Sequence, residues 1–252
     1  MNNFIAVLLR GLLAGAIAGL LAGAVGFALG EPRIDAAIAI EESHAAAQAA
    51  DGHSHDDEEL VSRPGQRRGL FLATTLFGLA TGGIYATVFA LRRRRSGEGQ
   101  PSHTALKLAG AAFVGVVLVP FLKYPANPPA VGNPDTIDQR TIAYLLAVAL
   151  GVLAIWGAVA AARAVGPRYG SVGRYAVGTG SFLLTVGVAF AVLPTFNEVP
   201  ADFPATLLWQ FRVASLAVQA TLWTALGFGF AALTEQAARR ATAPQAIPAA
   251  AH

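Results

Sequence analysis

The sequence contains no cysteine, and only 13% of its 252 residues are charged. The first absence excludes disulfide scaffolds, thiolate metal centres, cysteine nucleophiles and dithiol redox chemistry. The second excludes an ordinary soluble domain, in which about a quarter of residues carry charge. Enzyme signatures are also missing. There is no Walker A loop, no dinucleotide fingerprint in a strand-turn-helix setting, no HExxH pair and no GxSxG elbow. The chain is therefore not expected to be an enzyme, to hydrolyse ATP or to hold a tightly bound cofactor. No internal repeat is convincing, so inverted-repeat transporter symmetry has no support.

What is present is apolar. Hydrophobic residues make up 54% of the chain and gather in blocks at 4–29, 69–91, 105–122, 141–162, 175–194 and 209–232. Each block approaches the roughly 20 residues that a helix needs to cross a bilayer. The third, with Lys107 near its start, is the shortest. The 14 prolines lie outside the blocks or near their ends, as Pro120 and Pro194 do, where a missing N–H disrupts little of a helix. The fold expected is an all-α integral membrane protein, a bundle of about six transmembrane helices. Residues 1–236 form a single membrane domain with a loop at 31–68, and 237–252 form an Ala- and Pro-rich disordered tail. The first block could instead be a secretory signal peptide, but its apolar run is long and no sharp cleavage site follows it, which favours a retained helix.

Lys and Arg set the orientation. Arg92, Arg93, Arg94, Arg95 and Lys107 flank one junction, Arg163, Arg168 and Arg174 another, and Arg239 and Arg240 the tail. By the positive-inside rule both termini are cytoplasmic and the 31–68 loop is extracytoplasmic. Arg63, Arg67 and Arg68, just before the second block, run against this pattern. The net charge of +3 thus reflects topology and not a nucleic-acid surface, because the basic residues sit at the ends of apolar blocks.

Four features could carry chemistry. Gly11, Gly15, Gly19 and Gly23 recur every fourth residue, which places them on one face of the first helix and predicts a close packing seam. The 31–68 loop holds nine of the fifteen acids and three of the five histidines. Its His44, His53, His55, Asp56, Asp57, Glu58 and Glu59 offer imidazole nitrogen and carboxylate oxygen, a donor set that suits divalent transition metals; the alternative is an acidic segment that is only solvated chain. Within the last block Arg212, Ser215 and Gln219 share a polar face, as expected of a bundle interior or a water-lined path. Two proline-stiffened segments, 123–135 and 194–204, could present Asn127, Asp135, Asp138, Asn197 and Glu198 around a mouth, or simply turn the chain between helices.

At these two segments the sequence resembles the CbtA-type family of predicted bacterial cobalt transporter subunits. The residues that carry the resemblance are Leu122-Lys123-Tyr124-Pro125-Ala126-Asn127-Pro128-Pro129 with Gly132, then Asn197-Glu198-Val199-Pro200 with Phe203-Pro204, and Leu207-Leu208-Trp209-Gln210-Phe211-Arg212. The glycine-rich first helix and the His- and acid-bearing loop extend it over nearly the whole chain. The resemblance implies uptake of Co2+ as substrate for cobalamin synthesis across the bacterial inner membrane, with a small single-helix, histidine-bearing CbtB-type partner. It brings no established pore residue. The alternatives weighed are a non-transporting metal sensor or assembly factor acting on a partner membrane protein, and an anion or small-solute channel, which the acidic loop disfavours.

Overall fold

A computed structural model of the chain describes residues 2–50, 62–96, 100–165 and 169–242. The main helices among them are α1 (Asn2–Val25), α2 (Glu31–Ala50), α3 (Arg63–Ser96), α4 (Pro101–Ala112), α5 (Val119–Lys123), α6 (Ile137–Ala164), α7 (Gly170–Val192) and α8 (Ala205–Thr242). π-helical turns at Gly26–Gly30 and Phe113–Leu118 join α1 to α2 and α4 to α5. Six continuous helices result, each long and apolar enough to cross a membrane. Large apolar side chains cover their outer faces: Ile84 is 68% exposed, Trp156 69% and Leu184 70%. Water would penalise so much exposed apolar surface, whereas acyl chains do not. The expected six-span, all-helical membrane architecture is what forms.

The first span runs further than the sequence reading placed it, and the turn before Pro32 explains how. A proline ring has no N–H and collides with the carbonyl four residues back, which normally ends or kinks a helix. Here each π turn is followed closely by a proline, Pro32 or Pro120. The turns close with five-residue bonds, from Glu31 N–H to the Gly26 carbonyl and from Val119 N–H to the Val114 carbonyl. The wider turn accommodates the ring, and the helix continues. The first span therefore extends as helix to Ala50, through residues expected to be loop, helped by alanine-rich sequence of high helix propensity. Residues 51–61 lie outside the described residues, and α3 begins at Arg63. Similarly α8 reaches Thr242, so residues 237–242, expected to be disordered, are helical.

The glycine stripe of α1 is a backbone-to-backbone seam, as its spacing predicts. Its partner is a matching small-residue stripe on α3, Thr74-Gly78-Gly82-Ala86. A Cβ on Gly78 would lie 2.8 Å from Gly19 Cα, and one on Gly82 would lie 2.9 Å from Gly15 Cα. Neither fits. Around this seam α8 completes the core, in which Ala14, Ala18, Tyr85, Ala86, Phe89, Ala105, Leu226 and Phe230 are buried together. Phe230 receives Tyr85 and Phe89 edge-on, with ring centroids 5.2 and 4.9 Å away. The Tyr85 hydroxyl donates to the Ala105 carbonyl at 2.5 Å and so ties α3 to α4. A second glycine contact, Gly115 against Gly151, seats the Phe113–Leu118 turn on α6. Peripherally, α7 packs on α6, with Gly178 close to Ala158 and Ala162.

The bundle has two unlike ends. One carries α2, the 124–133 and 193–204 segments and the start of α8, and is termed the loop end. The other, the arginine end, carries the starts of α1, α4 and α7 with the last turns of α3, α6 and α8.

Gly78→Ala is expected to destabilise the protein by about 1–3 kcal/mol or more, because backbone must move to admit one methyl group. Gly180→Ala meets nothing within 4 Å and should change stability by no more than about 1 kcal/mol. Thermal unfolding in detergent compares the two; equal effects would remove the seam from the account.

Candidate functional site

The two proline-rich segments are fastened to each other and to the helices beneath by the polar contacts of four side chains. Lys123, the last residue of α5, donates to the Phe190 carbonyl in the last turn of α7 (3.0 Å) and to Thr195 Oγ1 (3.2 Å). A cation there also meets the negative end of the helix dipole. The next residue, Tyr124, donates its hydroxyl to the Pro194 carbonyl at 2.7 Å and stacks obliquely on Phe196. Burial raises its pKa, which keeps the phenol protonated to donate. Arg212 in α8 donates Nε to the Ala126 carbonyl (3.3 Å) and Nη2 to Asn127 Oδ1 (3.0 Å). This guanidinium therefore holds the Asn127 turn.

Glu198 is the fourth fastener. Its Oε1 accepts from the Thr136 hydroxyl at 2.6 Å and its Oε2 from the Asn133 N–H at 2.8 Å, with Arg140 Nη1 3.3 Å from the same Oε2. Arg140 in turn donates Nη2 to the Asn133 carbonyl at 3.0 Å. Gly132 is required here: its φ is +133°, and a Cβ would come within 2.6 Å of Arg140 Nη1. These donors hold the Glu198 carboxyl below the ordinary glutamate range, the Thr136 hydroxyl most of all, then the Asn133 amide and Arg140.

The acid- and histidine-bearing segment divides in two. Glu31 and Asp35 on α2 form a four-membered network with Arg63 and Arg67 on α3. Arg63 Nη2 lies 2.8 Å from Glu31 Oε2 and 2.6 Å from Asp35 Oδ1, while Arg67 lies 3.2 and 2.6 Å from the same two residues. Two of the arginines that ran against the charge pattern are thus neutralised by neighbouring carboxylates, which accounts for their presence at the acidic end. Of the proposed metal ligands, His44 is described. It stands exposed on α2, its Nε2 3.4 Å from Asp202 Oδ2. His53, His55, Asp56, Asp57, Glu58 and Glu59 lie outside the described residues. Among the described residues no three His, Asp or Glu side chains gather as a metal-holding group. Below His44, Ala37 packs with Phe203 and Leu208, so α2 rests on the second proline-rich segment.

Two neighbouring cavities lie at these contacts. A vestibule of about 590 Å³ is lined by Asn127, Asn197, Glu198 and Arg212, with Lys123 and Arg140. A second cavity of about 480 Å³ is lined by Ser215 and Gln219 of α8, by Gly26 and Gly30 of the first π turn, and by Glu31. Tyr124, Ala126 and Tyr144 line both. The proposed mouth residues therefore separate. Asn127, Asn197, Glu198 and Arg212 line the vestibule and Gln219 the other cavity, whereas Asp135 sits in the turn before α6 and Asp138 in the first turn of α6, and they line neither. Sequence reasoning missed Glu31, Lys123 and Arg140 as lining residues. Lys123 opens one of the segments it singled out, Arg140 follows that segment closely, and Glu31 directly precedes Pro32, the first proline after the first apolar block.

Six helices long and apolar enough to cross a membrane make this a multi-pass membrane protein. The sequence matches the family described as "Probable cobalt transporter subunit (CbtA)" over residues 4–235. The chain belongs to that family, which is one of transporter subunits and not of enzymes. Comparison with curated proteins and with solved structures found no match.

The depressed Glu198 pKa sets the pH response of the fasteners. A carboxylate whose pKa is lower folded than unfolded contributes fully above its unfolded value, and that contribution is lost as pH falls through the folded value. Hydrogen exchange over residues 128–137 should thus stay protected through the usual glutamate titration near about pH 4 and rise only in stronger acid. Glu198→Ala should raise that exchange severalfold at neutral pH. Protection lost at the ordinary pKa, or indifferent to the substitution, would contradict the assignment.

Proposed function

We propose that this chain is the membrane subunit through which Co2+ is taken up for cobalamin synthesis across the bacterial inner membrane, with both termini cytoplasmic and the loop end outside. A small single-helix, histidine-bearing subunit of the CbtB type is the partner; the word subunit in the family description supports a partner of some kind. Arg92, Arg93, Arg94, Arg95, Lys107, Arg163, Arg174, Arg239 and Arg240 lie toward the arginine end, and this concentration of basic residues supports the orientation. His44, His53, His55, Asp56, Asp57, Glu58 and Glu59 gather the metal, and the local negative potential enriches cations before entry.

The observation that carries the proposal is the pair of neighbouring cavities at the fastened proline-rich segments. In this reading Asn127, Asn197, Glu198 and Arg212 belong to the mouth and Gln219 to the path beneath, with Asp135 and Asp138 at its approach. The vestibule brings Lys123, Arg140 and Arg212 together against one lining carboxylate, Glu198, and so repels a divalent cation as it stands. Passage then requires the Lys123 and Arg212 contacts to open, and the fastened arrangement is the shut state.

Radiolabelled cobalt uptake into proteoliposomes, with and without the single-helix partner and with nickel and zinc in competition, tests this. Transport above that of empty vesicles is expected. Metal bound without any crossing would give the protein to the sensor or assembly-factor class. Replacing His44, His53 and His55 together by Ala should lower uptake at limiting cobalt and leave the saturated rate nearly unchanged, since capture precedes passage. An unaltered uptake curve at low metal would remove the segment from the mechanism.

A further inference from the structure

A third cavity, of about 530 Å³, opens at the arginine end between α1, α3, α4 and α8. Its apolar lining comes from Phe4, Val7 and the almost fully buried Phe89. Arg10 from α1 and Arg93 and Arg94 from the last turn of α3 line it as well. None of these three guanidiniums makes a hydrogen bond or an ion pair with a described residue. The contrast with the loop end is direct, because there Arg63, Arg67 and Arg140 each face a carboxylate. Glu235, the one described carboxylate at the arginine end, does not line the cavity.

Three permanently charged guanidiniums beside apolar side chains in one recess make an amphipathic receptor. Guanidinium matches phosphate oxygens with paired N–H donors, and it remains protonated at any physiological pH. The alternative is that these arginines only anchor helix ends in the headgroup layer, as basic residues commonly do. That role requires no cavity and no convergence from two helices. Here the seam that presses α1 against α3 brings Arg10 to the same recess as Arg93 and Arg94, and the Phe4 and Val7 side chains share it. Inorganic phosphate would satisfy the guanidiniums and leave the apolar lining uncovered. A phospholipid satisfies both, with its phosphate at the arginines and apolar chain against the apolar lining. We propose that this cavity is a binding site for an anionic phospholipid, held by Arg10, Arg93 and Arg94.

The test uses the full chain in a neutral detergent, with bound lipid read by native mass spectrometry and by the rise in unfolding temperature. Phosphatidylglycerol should bind saturably and raise the unfolding temperature, whereas phosphatidylcholine and inorganic phosphate should do neither. The triple substitution Arg10→Gln, Arg93→Gln, Arg94→Gln should weaken phosphatidylglycerol binding roughly tenfold or more, since each basic residue near a headgroup contributes on the order of 1 kcal/mol. The control Lys107→Gln, Arg163→Gln, Arg240→Gln removes the same charge from the same end and should retain binding. Equal loss in both triples would overturn the site in favour of diffuse attraction. Equal binding of phosphatidylcholine, or stabilisation by inorganic phosphate alone, would overturn the assignment of an anionic lipid. Should the Arg triple fail to fold, the three single substitutions, each weakening binding by a smaller factor, decide the matter in the same way.

Discussion

The contact on which this bundle rests is the approach of two backbones at the α1–α3 seam. Between helices already surrounded by lipid there is little hydrophobic gain from association, so van der Waals fit has to supply it. Gly15, Gly19, Gly78 and Gly82 supply it by having nothing to displace. Because glycine sits opposite glycine, the seam also fixes the axial register of α1 against α3. That register is felt at both ends. At one, Glu31 and Asp35 come level with Arg63 and Arg67; at the other, Gly11 meets Gly82 and Ala86, which sets Arg10 beside the stretch of α3 that leads to Arg93 and Arg94. The same alignment thus joins opposite charges at the loop end and gathers like charges at the arginine end.

Much of the architecture was legible because a bilayer permits few solutions. Backbone polar groups in hydrocarbon must be satisfied within the segment, so an apolar run of sufficient length becomes a helix. The six spans follow from that constraint, and the α1 half of the seam from a four-residue spacing of glycines. Thr74, Gly78, Gly82 and Ala86 carry the same spacing, and reading both stripes together would have paired the helices. The helical extension to Ala50 was less visible, because its charges resemble those of a loop. Its alanines were the signal, and Pro32 appeared to forbid the outcome. Only the widened turn reconciles the two.

The candidate site was legible in its parts and not in its connections. Composition singled out the proline-rich segments, Asn127, Glu198 and the polar face of α8. That Arg212 would reach Asn127, or Glu198 reach Asn133 and Thr136, depends on tertiary proximity across more than sixty residues of chain, which no local pattern encodes. Charge counting likewise left Arg63 and Arg67 as anomalies, since it recognises residue type and not pairing. Counting also overstated the negative charge free to attract a cation, because Glu31 and Asp35 are already matched.

The π turn at Gly26–Gly30 has a further consequence, in rotational phase. Each residue of an α-helix advances by about 100°, so in an uninterrupted helix Glu31, eight positions beyond Gly23, would point about 80° away from the glycine face, and Asp35 about 120° away. One additional residue in the turn subtracts about 100° from both. The two carboxylates return to within about 20° of the stripe, on either side of it, facing the helix that carries Arg63 and Arg67. A single rod thereby presents bare backbone to its neighbour inside the hydrocarbon and ionised groups to that same neighbour at the water boundary, with the change of chemistry set by one surplus residue just before Pro32.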